Sequence, residues 1–267
     1  MKKRRIISIV IIFVFLLVFF IIRMQNESIN RRYSNMKKDL IEYKSANICI
    51  ISKTEHEGIV GYSVGASGII FKKDENGYYA LTANHVVNKE NTEFLIMTVN
   101  DPTLLEYRKN HPDVEIVSND KYYNQFPTAE VVYENEEADL AILYFESDQD
   151  LECMSISLDN PRKGDKIIAI GTYSEKMEYF VETCGKIKQT QTSTFHTNDG
   201  AMDNKILRHS AFVAEGFSGG GVVNENMGLV GMNIGGQKNI FGGFSCGVMI
   251  PCEQINKCIV MSGLTFE

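Results

Sequence analysis

The chain has 267 residues, of which 34 are Asp or Glu and 27 are Lys or Arg, and its formal net charge at pH 7 is −7. This length is enough for one large domain or two small barrels with full cores, and the acidic balance argues against a nucleic-acid-binding protein. The charge is unevenly spread: residues 1–45 carry 10 Lys/Arg and 3 Asp/Glu, whereas residues 46–267 carry 17 and 31. A basic N-terminal segment, suited to an anionic membrane surface, therefore precedes an acidic domain.

An apolar run occupies residues 6–22, with Ser8 as its only polar residue, and four basic residues precede it. As a helix the run is roughly 26 Å long, at the short end of what crosses a bilayer. It exceeds the usual core of a signal peptide, and no A-x-A-like cleavage site follows it. We therefore predict a retained transmembrane signal anchor with membrane lipid as its partner. A cleaved signal peptide, which would give a secreted protein, is the alternative.

Basic residues stand on both sides of the apolar run, so their number alone does not orient it. The cluster within residues 1–5 favours a cytoplasmic N-terminus. Residues 23–46 contain no Gly or Pro, which favours a helical stalk. The predicted organisation is a cytoplasmic N-terminus (1–5), a single span of the cell membrane (6–22), the stalk (23–46) and an extracytoplasmic domain (47–267).

From residue 48 onward the sequence changes to short β-rich runs separated by Gly, Asn and Asp clusters. Many short strands without long helical patterns predict an all-β sandwich or barrel. Residues 100–127 are polar and are predicted to form a surface insertion, and residues 252–261 a closing helix. The predicted strands cover residues 66–71, 78–87, 94–99, 130–133, 140–145, 166–170, 221–223, 228–234 and 244–250.

The six cysteines show no C-x-x-C spacing, so neither a metal site nor another cofactor is predicted. An even number of cysteines outside the cytoplasm permits disulfides, and the pairing stays open.

Three short segments carry the residues of a candidate active site. Residues 216–221 place Ser218 among glycines, which allow a sharp turn that exposes a hydroxyl and aims backbone N–H groups at one point. His85 closes one apolar run, and Asp139 begins another, where a partly desolvated carboxylate needs a partner such as a histidine N–H. Taken singly, each segment has an ordinary explanation: a loop, a packed histidine, or an acid that binds nearby backbone N–H groups.

Taken together, the three segments are more specific. They occur in the order His, Asp, Ser, separated by 54 and 79 residues, each at the edge of a predicted strand. This is the chymotrypsin order and differs from the subtilisin and α/β-hydrolase orders. The spacing predicts a triad in which Ser218 is the nucleophile, His85 the general base and Asp139 the group that orients His85.

The segments T-A-N-H-V at 82–86, D-L-A-I-L at 139–143 and G-F-S-G-G at 216–220 resemble the trypsin-like peptidase family. Residues 228–233 and the strand that ends at 251 are similar to strands of its bacterial HtrA/Deg branch. The resemblance covers roughly residues 47–260 and implies two antiparallel six-stranded β-barrels of the chymotrypsin type with the active site between them. We expect no PDZ domain. The trimers common in that branch leave an oligomer open.

The resemblance also implies the remaining site residues. The backbone N–H groups of Gly216 and Ser218 would form the oxyanion hole, and residues 233–236 would pair with the substrate as an added strand. Since no acidic residue stands in the implied specificity pocket to bind Lys or Arg, a small or medium apolar side chain is expected there. The implied substrate-binding residues are Phe212, Val213, Asn233, Ile234, Gly235 and Gly236, with Phe212, Val213 and Ile234 lining that pocket.

The predicted function is therefore that of a membrane-anchored serine endopeptidase, which hydrolyses peptide bonds through an acyl-enzyme. Its predicted partners are unfolded or surface-exposed polypeptides, and no nucleic acid. The alternative is a catalytically silent trypsin-like domain that binds peptides or proteins at the membrane. The intact triad argues against this alternative, because silent relatives often lose one member.

Overall fold

The computed structural model describes residues 2–111, 119–189, 195–197, 200–202 and 205–264, and the side chains of these residues except 2–13 and 195–202. The described part contains two closed, antiparallel, six-stranded β-barrels. The predicted all-β fold with two such barrels is thereby confirmed.

The first barrel carries the His85 and Asp139 segments. Its strands follow one another around the barrel in the order β1-β2-β3-β6-β5-β4. Side chains such as Ile48, Ile50 and Ile70 fill its interior and are almost completely buried. The six strands are β1 (Asn47–His56), β2 (Ile59–Lys73), β3 (Gly77–Thr82), β4 (Thr92–Thr98), β5 (Thr128–Asn135) and β6 (Leu140–Glu146).

The second barrel carries the Ser218 segment. Its order is β11-β14-β13-β12-β7-β8, and the short pair β9 (Phe195–Thr197) and β10 (Gly200–Met202) lies outside both barrels. The six strands are β7 (Lys166–Tyr173), β8 (Glu178–Gln189), β11 (Leu207–His209), β12 (Gly221–Val223), β13 (Leu229–Lys238) and β14 (Phe244–Pro251).

Short helices connect these strands, and one of them corrects the sequence prediction. The run 78–87 was expected to be a single strand, but β3 ends at Thr82 and the one-turn helix α2 (Asn84–Val87) follows. The reason is that its partner β6 begins at Leu140, and the β3–β6 ladder ends with Thr82 opposite Ala141. Residues beyond Thr82 therefore have no strand to pair with. The closing helix, Cys252–Met261, is found as predicted.

The predicted surface insertion contains a buried aromatic cluster. It includes the short helices Leu104–Asn110 and Asn119–Tyr123. Tyr122, Tyr123 and Phe126 are at most 5% exposed and pack with the outward-facing side chains of β1 and β4. Because successive residues of a strand face opposite sides, the first six residues of β1 are buried on both faces. The described part of the insertion thus covers the outward faces of β1 and β4.

A single long helix, α1 (Lys2–Leu40), precedes the barrels, and a 3₁₀ turn (Ile41–Ala46) leads from it into β1. Its last turns are packed: Met36 and Leu40 are 2% and 1% exposed, and the Tyr33 hydroxyl donates a 2.7 Å hydrogen bond to the backbone oxygen of Gly185 in β8. Within the part whose side chains are described, no helix is both long and apolar enough to cross a membrane. Residues 6–13 of the predicted anchor lie outside that part.

The packing of the helix end leads to a stability prediction. Leu40→Ala should lower the free energy of unfolding by about 2–5 kcal/mol, because it leaves a cavity at a buried position. Its neighbour Ile41 is 65% exposed, so Ile41→Ala should change that free energy by less than about 0.5 kcal/mol. Urea unfolding of the two variants and the parent chain measures both values. Equal, small effects would mean that the helix end does not belong to the core.

Candidate active site

The three residues of the predicted triad come from three different connections. His85 lies in helix α2, directly after β3 of the first barrel. Asp139 immediately precedes β6 of the same barrel, and Ser218 lies in the loop between β11 and β12 of the second barrel. The site is therefore formed where loops of the two barrels meet.

A buried carboxylate holds the histidine ring. The side chain of Asp139 is 5% exposed, and its Oδ2 and Oδ1 atoms lie 2.8 and 3.0 Å from Nδ1 of His85. Oδ1 also accepts the backbone N–H of His85 at 2.9 Å. Since a carboxylate accepts hydrogen bonds, Nδ1 carries the proton and Nε2 of the neutral ring is left as an acceptor.

The backbone at Asp139 is adapted to this contact. Its φ of +48° is in the left-handed region, which Asp tolerates better than most residues. Its N–H donates to the carbonyl of Glu136 at 3.1 Å and closes a tight turn just before β6. The turn aims the carboxylate at His85 while Leu140, the next residue, is fully buried among hydrophobic side chains.

His85 and Ser218 line one pocket of about 240 Å³. In the described part of the chain no hydrogen bond joins the two side chains, as is common in catalytic sites without substrate. The pocket is also lined by two residues of opposite charge, Lys89 and Glu215. The other lining residues are Ser52, Ser63, Gly65, Ala66, Val86 and Gly216.

Two glycines of the nucleophile loop, which we define as residues 214–220, are required by its geometry. Gly216 and Gly219 have φ values of +98° and +85°, where L side chains are strained. A Cβ atom on Gly219 would also overlap the backbone oxygen of Ser67. The loop can therefore lie directly against β2 of the first barrel only with glycine at this position.

The loop leaves two backbone donors available. Among the described residues, the N–H groups of Gly216 and Ser218 donate no hydrogen bond, whereas those of Phe217, Gly219 and Gly220 are all paired. A pair of free N–H groups beside a serine hydroxyl is the arrangement that stabilises an oxyanion in acyl transfer.

The edge of β13 beside the loop is the place implied for substrate. Asn233 is fully buried, and its backbone N–H donates to Gly220 at 2.8 Å. β12 pairs with β13 only as far as Met232, and from Gly235 onward the pairing partner is β14 alone. Gly235 and Gly236 thus present a strand edge to which an extended peptide can add.

Of the three residues implied for the specificity pocket, Phe212 and Val213 lie near each other, but Ile234 packs elsewhere. Val213 is buried beside Gly236, where an added Cβ would lie 3.1 Å from a Val213 methyl group. The half-exposed ring of Phe212 lies 5.2 Å from that of Phe244. Ile234 instead packs in a different hydrophobic cluster from Val213 and Phe244. The structure therefore brings together Phe212, Val213 and Gly236, with Phe244 as a neighbour that the sequence did not indicate.

A buried histidine supports the loop from behind. Nε2 of His209 lies 3.0 Å from Oδ1 of Asn233, whose Nδ2 donates to the carbonyl of Gly220 at 3.1 Å. His209 and Asn233 are 24 residues apart, and no pattern in the sequence pairs them. Desolvation lowers the pKa of His209 from 6.5 to about 4, and the hydrogen bond to Asn233 offsets this only in part.

The pKa of His209 gives a pH-dependence of stability. Between about pH 6.5 and 4 the unfolded chain holds a proton that the folded chain lacks, so this group should remove about 3 kcal/mol of stability as the pH falls through that window. Urea unfolding at pH 7 and pH 4.5 should show a larger loss for the parent chain than for His209→Gln. The same loss in both chains would contradict the assignment, since all other titrating groups are shared.

The cysteines do not form disulfides in the structure, and all six are free. Burial raises the pKa of Cys49 to about 12 and that of Cys252 to about 11, so both remain neutral thiols at pH 7. Within the described residues, no group of three or more His, Cys, Asp or Glu side chains is placed to bind a metal ion.

Comparison with known proteins gives two matches. A family model described as a trypsin-like peptidase domain matches residues 66–232, a range that includes His85, Asp139 and Ser218. Over 169 residues the chain is 28% identical to the serine protease Do-like HtrB of Bacillus subtilis (strain 168). The alignment covers 62% of this chain and 32% of that protein, so the chain spans about a third of the length of this relative. The predicted resemblance to trypsin-like and HtrA-type peptidases is confirmed.

Proposed function

Because the chain belongs to the trypsin-like peptidase family, we propose that it is a serine endopeptidase with Ser218, His85 and Asp139 as its catalytic triad. The observation that carries the proposal is the buried Asp139 carboxylate on Nδ1 of His85, beside a pocket that His85 shares with Ser218.

The proposed reaction begins with attack of the Ser218 hydroxyl oxygen on a peptide carbonyl carbon. Nε2 of His85 takes the hydroxyl proton, and Asp139 stabilises the resulting imidazolium. The N–H groups of Gly216 and Ser218 bind the oxyanion, each donor contributing roughly 3 kcal/mol. When the intermediate collapses, the C–N bond breaks and His85 gives its proton to the leaving amine. Water then attacks the acyl-enzyme by the same steps, which releases the carboxylate product and restores Ser218.

The proposed substrates are polypeptides in extended conformation. The acyl side of the substrate would add to the edge of β13 at Gly235 and Gly236, which requires an unfolded or surface-exposed segment. Its side chain at the cleavage position would lie against Phe212 and Val213, and we expect it to be small or medium and apolar.

We also propose that the helix α1 holds this domain at the cell membrane. Every side chain from Val14 to Ile22 is 46–72% exposed, which is costly for such residues in water and favourable in lipid. From Ile22 to the packed Leu40 the helix rises about 27 Å. With a cytoplasmic N-terminus, the catalytic domain lies outside the cytoplasm and close to the membrane surface.

The catalytic proposal is tested with a fluorophosphonate probe, which reacts with activated serines, and with casein as an unfolded substrate. The parent chain should be labelled and should cleave casein, whereas Ser218→Ala and His85→Ala should do neither. The exposed residues Ser155 and His56 provide matched controls, and Ser155→Ala and His56→Ala should behave like the parent.

Failure of a folded parent chain to react would contradict the proposal and would favour the alternative, a catalytically silent domain that binds peptides. Native circular dichroism and cooperative urea unfolding establish that the chain is folded.

The membrane proposal predicts how the chain fractionates when it is produced from Met1 in a bacterium. It should stay with membranes after alkaline carbonate extraction and keep an uncleaved N-terminus by mass spectrometry. Deleting residues 6–22 should release it. A chain that is recovered in the medium and begins after residue 22 would instead establish the secreted alternative.

A further inference from the structure

Ser67 in β2 makes an unusual set of contacts for a buried serine. It is 2% exposed, and its hydroxyl donates to the backbone oxygen of Gly216 at 2.6 Å while it accepts the backbone N–H of Thr172 in β7 at 2.8 Å. Its own backbone N–H donates to the backbone oxygen of Ser218 at 2.9 Å. One residue of the first barrel therefore holds the carbonyls on both sides of Phe217, within the nucleophile loop of the second barrel.

Ser67 binds Gly216, a residue whose backbone is conformationally free unless its neighbours restrain it. Gly216 has no side chain to anchor it, and its left-handed conformation is one of several that glycine adopts easily. The preceding carbonyl, that of Glu215, is fixed by Ser174, whose N–H and hydroxyl donate to it at 3.1 and 2.9 Å. The following carbonyl is fixed by the Ser67 hydroxyl. Because peptide groups are planar, the Glu215 carbonyl held by Ser174 sets the direction of the Gly216 N–H, which belongs to the same peptide group. The Ser67 hydroxyl holds the next peptide group, and it thereby restrains rotation of the Gly216 backbone between the two.

We propose that Ser67 is a positioning residue for the oxyanion hole, which acts by holding the Gly216 carbonyl and so keeping the Gly216 N–H directed at the reacting carbonyl oxygen. It does not touch substrate. Its hydroxyl also accepts the backbone N–H of Thr172 in β7. The position of one barrel relative to the other therefore affects the position of the Gly216 carbonyl. This inference rests on the proposed peptidase function.

The test measures acylation, the step in which the oxyanion forms. The full chain, Ser67→Ala and a control are compared in the burst phase with p-nitrophenyl acetate, in their KM for casein and in their affinity for phenylboronic acid, which forms a tetrahedral adduct on an active-site serine. The control is Thr98→Val, because the Thr98 hydroxyl is also buried in the first barrel and also makes several hydrogen bonds, to Asp101 and Gln149. It has no bond to the nucleophile loop.

Loss of a complete oxyanion donor typically costs 10²–10³-fold in rate, so loss of a support for one donor should slow acylation by about 10–100-fold. Ser67→Ala should weaken phenylboronic acid binding by a similar factor and leave KM within about twofold. Thr98→Val should lose stability but acylate like the parent. Should Ser67→Ala not fold, Ser67→Cys replaces it: a thiol is a weak donor, and acylation should slow by a smaller factor.

Acylation at the parent rate in a folded Ser67 variant would overturn the inference, as would a change confined to KM or an equal slowing in Thr98→Val. These outcomes leave the peptidase function intact. A parent chain that gives neither a burst nor a fluorophosphonate adduct would overturn the proposed function and this inference with it.

Discussion

The hydrogen bonds from His85 to the Asp139 carboxylate are the interaction on which the candidate site depends. The Asp139 side chain is 5% exposed, and a carboxylate so buried is costly unless its oxygens are bonded. Here His85 supplies a ring N–H and a backbone N–H. The contact fixes the histidine tautomer and the ring direction at once. The proposed chemistry starts from an unprotonated Nε2 turned toward the cleft, which takes the serine proton and later gives it to the leaving amine.

The second barrel supplies the other half of the site, and the rigidity of its loop comes from its surroundings. Glycines allow the loop to turn but do not hold it. Ser67 and Ser174 fix its carbonyls from one side, and the buried pair of Asn233 and His209 supports it from the other. Among the described residues, the N–H groups of Gly216 and Ser218 are left unbonded while those of Phe217, Gly219 and Gly220 are paired, as the proposed oxyanion hole requires.

Much of this arrangement could be predicted from sequence, because it depends on local signals. The alternation of apolar residues indicates strands, and glycines around Ser218 indicate a sharp turn. The order and spacing of His85, Asp139 and Ser218 predict that these three residues form one site.

Features that depend on distant contacts could not be predicted in this way. β3 stops at Thr82 because its partner begins at Leu140, and sequence alone does not show where a partner begins. Tyr122 and Tyr123 lie in a polar segment, yet they are buried against the back of β1. Tyrosine is amphipathic, so its burial depends on what the fold places beside it. Residues 67 and 216 are 149 positions apart, and a serine in the middle of a strand gives no sign that its hydroxyl crosses to another barrel.

The most direct test of the account is the rate of reaction with a fluorophosphonate in Asp139→Asn. An amide cannot accept from Nδ1 and the backbone as the carboxylate does, so the ring should adopt the wrong tautomer. The account predicts a labelling rate at least ~10³-fold lower in a folded chain, with parent behaviour in the exposed neighbour Glu136→Gln. A rate within tenfold of the parent would contradict the central claim that Asp139 orients and polarises His85 for attack by Ser218.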